Sequence, residues 1–256
     1  METRRCWNRP GTGRAQRVAR AAVSGAGVRI LLEDAWLLAV DKPPGLLVHR
    51  TEQARGERDV VLQRLRDQIG QFVYPVHRLD RPTSGVLIFG LSGEAAGALH
   101  EALTAESAKK EYLALARGFP GEGWTCARPL TGRPARTTFR HLAQWGRSAF
   151  LHARLHSGRR HQVRRHLHHI AHQILGDTQY GKGRINRFLR ETYGMPRLCL
   201  HAWRLSLEHP EGGRLELEAP FPADLEAFFL RLPEVEAKDL QAALELAASP
   251  APWAEV

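Results

Sequence analysis

Ala149, Leu151, Ala153 and Leu155 recur at every second position, with Phe150, His152 and Arg154 between them; Leu215 and Leu217 alternate in the same way with Glu216 and Glu218. A period of two marks a strand with one buried face, so the chain must build a sheet. Other stretches carry the helical period instead. Val61, Leu62, Leu65 and Ile69 fall on one helix face, as do Ala95, Ala96, Leu99 and Leu103 behind Ser92, a suitable N-cap for a helix to about Ala105. A helix is also expected from about His161 to His172, and another between Asp224 and Leu232. Short apolar runs at Trp36–Val40, Val86–Leu91 and Tyr112–Ala116 read as strands, the first stopped by Pro43-Pro44-Gly45. Leu198–Leu207 and Arg214–Glu218 form a hairpin around residues 209–213. Strand clusters with helices between them predict an α+β fold, a mixed or antiparallel central sheet with flanking helices.

The 256 residues are enough for a substantial core. Residues 1–27, with six Arg in the first twenty positions and several Gly, read as a flexible basic leader; order is expected from Val28, with one folded domain over 28–232. Residues 233–256 form an acidic tail, expected to be helical. No apolar run approaches the roughly 20 residues that span a bilayer, so no membrane partner is expected. Nor does any heptad or broad apolar stripe appear, and a monomer is expected. Cys6, Cys126 and Cys199 are too few and too scattered for a disulfide framework or a zinc ribbon, which favours a reducing compartment such as the cytoplasm.

Charge narrows the partner. Lys and Arg number 37 against 27 Asp and Glu, a net charge of +10, and such a field draws polyanions, nucleic acid above all. The excess is local: Gly158–Arg190 holds eight Arg or Lys, five His and a single acid, Asp177, whereas Glu208–Glu245 holds ten acids against three bases. One basic face with a solvated acidic back is the expected arrangement.

The chemistry is concentrated in Pro75-Val76-His77-Arg78-Leu79-Asp80-Arg81-Pro82-Thr83-Ser84-Gly85-Val86-Leu87, a polar loop between a helix and a buried strand. Arg78 and Arg81 favour an ionised Asp80, the state that a nucleophile or base requires. On the residues alone a salt-bridged structural Asp outweighs a catalytic one. His168 and His172 have the spacing of two metal ligands on a helix, but there is no His-Glu-x-x-His, so no catalytic metal is expected. Ser84 lies outside any Gly-x-Ser-x-Gly elbow and is not expected to be a nucleophile.

His77-Arg78-Leu79-Asp80 followed by Thr83-Ser84-Gly85 resembles the active-site signature of the RluA-type pseudouridine synthases, which act on ribosomal and transfer RNA. Further matches follow in order. Asp41-Lys42-Pro43-Pro44-Gly45 resembles the family's early Lys-Pro-x-Gly segment, and Lys110-Glu111-Tyr112-Leu113-Ala114 its Lys-x-Tyr-x-Ala motif. Gly158-Arg159-Arg160-His161-Gln162-Val163-Arg164-Arg165-His166 is similar to its Gly-Arg-x-His-Gln-Leu-Arg-x-His motif. Gly176-Asp177 with Tyr180-Gly181, Leu200-His201-Ala202 and Ala219-Pro220-Phe221-Pro222 complete a resemblance running from about Val28 to Pro222.

The resemblance implies a pseudouridine synthase catalytic domain, with no separate N-terminal RNA-binding domain in the 27 residues before Val28. It implies Asp80 as the catalytic carboxylate, Arg164 as the cation that pairs with it, and Tyr112 as the ring against the target base, its hydroxyl available for a late proton removal. It implies no cofactor, because the isomerisation is redox-neutral. A flipped base costs a few kcal/mol to unstack, and Arg78, Arg81, Lys109, Lys110, Arg159, Arg160 and Arg165 are the candidates for the phosphate contacts that offset it. Arg78 could also fill the gap that the base leaves. Within the family, Arg66-Asp67-Gln68-Ile69-Gly70-Gln71, Leu47-Val48-His49-Arg50 and residues 183–187 look most like the synthases of tRNA position 65, although the segment Gly118–Arg147 is shorter than theirs. Large-subunit ribosomal RNA is the alternative target, and a non-catalytic RNA-binding protein the alternative class.

Overall fold

The computed structural model describes residues 27–50, 56–57, 59–250 and 253; the leader expected over 1–27 lies almost wholly outside them. The chain runs β1 (Arg29–Glu33), β2 (Leu37–Lys42), α1 (Val61–Ile69), β3 (Tyr74–Pro75), β4 (Ser84–Gly90), α2 (Gly93–Thr104), β5 (Lys109–Arg117), β6 (Gly123–Cys126), β7 (Thr137–Trp145), β8 (Ser148–Leu155), α3 (Gln162–His169), α4 (Gly183–Tyr193), β9 (Leu200–Glu208), β10 (Arg214–Glu218), α5 (Ala223–Phe229) and α6 (Ala237–Ala248). Among the described residues the ten strands make one sheet in the order β1-β2-β4-β9-β5-β8-β7-β6, with β10 on β9 and β3 on β4. All pairings are antiparallel except β4 with β9, so the expected α+β fold with a mixed sheet is the one found.

β4 explains how its apolar run behaves. All seven of its residues are buried, because helices cover both faces: Val86 and Ile88 pack with Leu99 and Leu103 of α2, while Leu87 and Phe89 pack with Val61 and Leu65 of α1. Each such side chain contributes about 1.5–3 kcal/mol by leaving water. The wider core lies around β5, β7 and β8 and takes in α3, α5 and α6. Leu240, Ala243 and Ala247 of α6 join it, so this part of the acidic segment is packed against the sheet.

Several expectations shift. The helix expected to reach His172 ends at His169, because Ala171 turns left-handed (φ 62°) and the His172 amide bonds back to the Leu167 carbonyl. A glycine normally signals such a stop and none is present. α4, β6 and β7 carried no clear period: β7 reads Thr-Thr-Phe-Arg-His-Leu-Ala-Gln-Trp, yet five of its first six residues are buried, polar ones included.

Candidate active site

The Asp80 loop is held from below. Lys42, at the end of β2, is fully buried, and its Nζ donates to the carbonyls of Pro43 (2.7 Å), Thr83 (2.8 Å) and Arg81 (3.2 Å). Burial pushes its pKa down to about 7, helped by Arg197, while Asp80 and Asp41 oppose the fall. Three carbonyl acceptors match the three donors of an ammonium. The Gly45 amide donates to the Arg81 carbonyl, and the Thr83 amide closes a turn on the Asp80 carbonyl. Lys42-Pro43-Pro44-Gly45 thus clamps the loop that presents Asp80 at the entrance to β4.

Arg164, in the first turn of α3, comes 84 residues later and meets Asp80: its Nη1 donates to Asp80 Oδ2 at 2.8 Å. Its other edge grips Asp177, Nε to Oδ2 at 2.7 Å and Nη2 to Oδ1 at 2.9 Å. Asp177 also accepts the amides of Gln179 and Tyr180. Burial alone would raise the Asp177 pKa, but the Arg164 and amide hydrogen bonds outweigh it and hold the group below the usual carboxylate range. The same two carboxylates raise the pKa of Arg164 against the cost of burial. One guanidinium thereby aims Asp80 while anchored on a second, buried acid, a task for a planar fork rather than a point charge.

Tyr112 lies on β5, between β9 and β8. Burial raises the pKa of its phenol, and the charge of Asp80 pushes the same way. The hydroxyl therefore stays protonated at neutral pH.

Asp80, Tyr112 and Arg164 line one cavity of about 280 Å³, together with Arg78, Leu79, Arg160 and His161. That volume is at the small end for ligand sites and suits a single base. Arg159 also lines it, with its Nε on the Pro134 carbonyl. The other candidate cations stand elsewhere. Arg81 is occupied by the Gly45 carbonyl and Glu57, Arg165 by the Thr131 hydroxyl, and Lys110 by the Leu103 carbonyl at the end of α2. Lys109 lines a separate cavity, which Glu111 and Arg154 also border. His168 and His172 donate to the carbonyls of Tyr180 and Arg117, so the two rings serve different turns.

Four groups in this site had been seen only as members of motifs: Lys42, His161, Asp177 and Tyr180. Their place in the Lys-Pro, Gly-Arg-x-His and Gly-Asp runs was the available signal; their contacts were not.

A family model described as RNA pseudouridylate synthase matches residues 36–169. The protein named tRNA pseudouridine synthase C of Pasteurella multocida is 44% identical over 211 residues, covering 72% of this chain and 86% of its own. The protein of the same name from Salmonella typhimurium is 40% identical over 214 residues, with 73% and 82% covered. Among solved structures, human RNA pseudouridylate synthase domain containing 1 superposes with a TM-score of 0.65 at 23% identity, covering 91% of this chain and all of that one. Domain containing 4 superposes at 0.63 and 23%, covering 79% and 92%. These structural likenesses establish the shared fold. With the matched family segment spanning β2, the Asp80 loop, Tyr112 and Arg164, the chain belongs to the RNA pseudouridylate synthase family and is an RNA pseudouridine synthase, an isomerase.

Proposed function

We propose that this enzyme converts a uridine of transfer RNA, that of position 65, into pseudouridine, with Asp80 as the essential carboxylate, Arg164 as the residue that aims it and Tyr112 as the surface for the target base. The observation that carries the reading is the Asp80 carboxylate at the wall of a one-base cavity, with Oδ2 taken by Arg164 at 2.8 Å and Oδ1 outside that bond. The tRNA assignment is supported by relatives named tRNA pseudouridine synthase C at 40–44% identity.

The reaction breaks the bond from N1 to ribose C1′, turns the uracil and joins C5 to C1′; the C5 hydrogen leaves and N1 regains a proton. Atoms and electrons balance without an oxidant or a carrier, so no cofactor is invoked. Asp80 serves either by attacking the nucleoside or by taking a sugar proton, and both require it ionised. The Tyr112 ring offers a face worth about 1–3 kcal/mol to a stacked base. Arg78, Arg159 and Arg160, at the same cavity, are the cations placed to meet phosphates beside the flipped nucleotide. Monomeric action in the cytoplasm accords with this reading.

The test is release of tritium from an unmodified tRNA transcript labelled at uridine C5, with Asp80→Asn in parallel. Wild-type protein is expected to release the label and the variant to lose about 10³-fold or more in rate. Moving the single uridine at position 65 to cytidine is expected to abolish release. Label released only from ribosomal RNA fragments would overturn the tRNA assignment, and an active Asp80→Asn protein would overturn the role of Asp80.

A further inference from the structure

Arg164 secures only one oxygen of Asp80. Beside the other, Oδ1, stands His161, whose Nε2 lies 3.4 Å away. The opposite ring nitrogen, Nδ1, is 3.1 Å from the Tyr180 hydroxyl, and the two rings meet edge to face. Tyr180 is fixed in turn: its amide donates to Asp177, its carbonyl accepts from His168, and its ring lies under the Arg164 guanidinium at 5.1 Å. Asp80, Arg164, Asp177, Tyr180 and His161 thus close a ring of contacts that starts and ends on the same carboxylate.

His161 is also held in an unusual backbone state. It precedes α3 with φ 55° and ψ 31°, left-handed for a residue with a side chain. Such a conformation costs of order 1–3 kcal/mol and persists where surrounding structure enforces it. Here it directs the ring back toward the cavity, which His161 lines.

We propose that His161 is a positioning residue for the reaction: a neutral imidazole, set in the Nε2–H tautomer by the Tyr180 hydroxyl, that presents its N–H to Asp80 Oδ1 and so fixes the oxygen Arg164 leaves free. This rests on the reading of Asp80 as the reacting carboxylate. The tautomer follows from electrostatics. If Tyr180 donates to Nδ1, the proton must sit on Nε2 and faces the carboxylate. The reverse arrangement would point a lone pair at an anion 3.4 Å away, which is repulsive. At 3.4 Å the pair is a charge–dipole contact and not a formed hydrogen bond, so Oδ1 is oriented yet released easily when it engages the nucleoside.

Protonation would spoil the arrangement. An imidazolium needs an acceptor at Nδ1, so the Tyr180 hydroxyl must turn, and the added charge grips Oδ1 as an ion pair. The groups facing His161 are Asp80 from the loop before β4, Arg160 and Arg164 from the start of α3, and Asp177 and Tyr180 from the loop before α4. Burial lowers its pKa below the ordinary value, Arg164 and Arg160 adding to that effect and Asp80 and Asp177 opposing it. The ring is accordingly neutral at neutral pH.

The experiment measures kcat and KM for tritium release from tRNA between about pH 5 and 9, for wild type, His161→Gln, His161→Leu, Tyr180→Phe and Asp80→Asn. Wild-type kcat is expected to fall on the acid side. Tyr180→Phe removes the donor that opposes protonation, and its acid limb should move to higher pH. Gln places an amide N–H near the former Nε2 but does not titrate; its kcat is expected within about tenfold of wild type, with the acid limb gone. Leu should lose about 100-fold in kcat with little change in KM, as a misaimed group does. A wild type without an acid limb, a limb unchanged in Gln or Phe, or a fully active Leu variant would each overturn the proposal. Should Leu fail to fold, the Gln and Phe profiles still decide. If Asp80→Asn stays active, the underlying reading of the site fails instead; if it is dead while every His161 and Tyr180 variant keeps the wild-type profile, only this inference fails.

Discussion

Arg164 is the residue on which the site's electrostatics turn, because one side chain satisfies two acids of different purpose. Asp177 is 1% exposed and holds the guanidinium by two bonds; Asp80 is the more open of the two. Removing the cation strands a buried charge, whereas replacing it by another cation strands only geometry. Arg164→Met is therefore expected to cost about 3–5 kcal/mol in denaturant unfolding. Arg164→Lys should lose less stability but still about 10–100-fold in kcat, since an ammonium cannot grip both carboxylates in the same plane. A Met variant as stable as wild type would show that Asp177 does not depend on this pair.

Among the elements, the parallel contact of β4 with β9 sets where Asp80 emerges. Ser84 and Gly85 pair with His201 and Ala202, and a Cβ on Gly85 would sit 2.0 Å from the Ala202 carbonyl oxygen, at φ 114°. Neither the space nor the conformation admits a side chain. Gly45, on the clamp opposite, has φ 87° but open space around it. Gly85→Ala is expected to destabilise the fold by more than about 3 kcal/mol and to abolish tritium release, because the displaced strand carries the Asp80 loop with it. Gly45→Ala should cost only about 1 kcal/mol. Equal losses in thermal unfolding of the two variants would refute the close-packing account.

For the molecule as a whole, acid is the stress to which its buried histidines expose it. Desolvation holds the half-buried His77 at about 4, with Lys110 and His100 adding to it. It also holds His201 at about 4, where Arg197 adds to the fall and the Ala219 carbonyl opposes it. Unfolded histidine titrates near 6.5. Between these values the unfolded chain binds more protons than the folded one, so stability falls as pH drops from about 6.5 to about 4. Each ring contributes about 3 kcal/mol to that loss. Glu111 works at lower pH: burial would raise it, but the His152 ring 3.5 Å away and the hydrogen bonds from Arg154 bring it to about 2, and its stabilisation disappears as pH falls through that value. Urea midpoints measured from pH 7 to pH 4 should decline steadily, and His77→Gln, which cannot charge, should flatten part of the decline. A flat profile in the wild type would contradict the neutral state of these rings in the fold.

How far the sequence could be read follows from which forces act locally. Period two at Ala149–Leu155, the Ser92 cap and the apolar run of β4 each express a preference carried by a few neighbouring residues, and all of them appear in the structure. The order of the motifs points to Asp80, Tyr112 and Arg164, which the structure brings to one cavity. α4 and β7 escaped because what buries their polar residues comes from remote parts of the chain: Asn186 of α4 meets the Gly176 amide and the Asp177 carbonyl, and Thr137 of β7 meets Gln162 and His166 of α3. The same is true of the cations. Composition marked a basic stretch, but whether Lys110 reaches a carbonyl and Arg160 a cavity depends on which surface lies beside each, and hydrogen bonds act over about 3 Å. The amino-acid sequence by itself thus determined the α+β class and the family, and singled out Asp80 as the candidate carboxylate, through local periodicity and residue identity. Only the tertiary structure decided that Asp80 has one oxygen on Arg164 and the other beside His161, because those partners come together through the packing of the sheet and not along the chain.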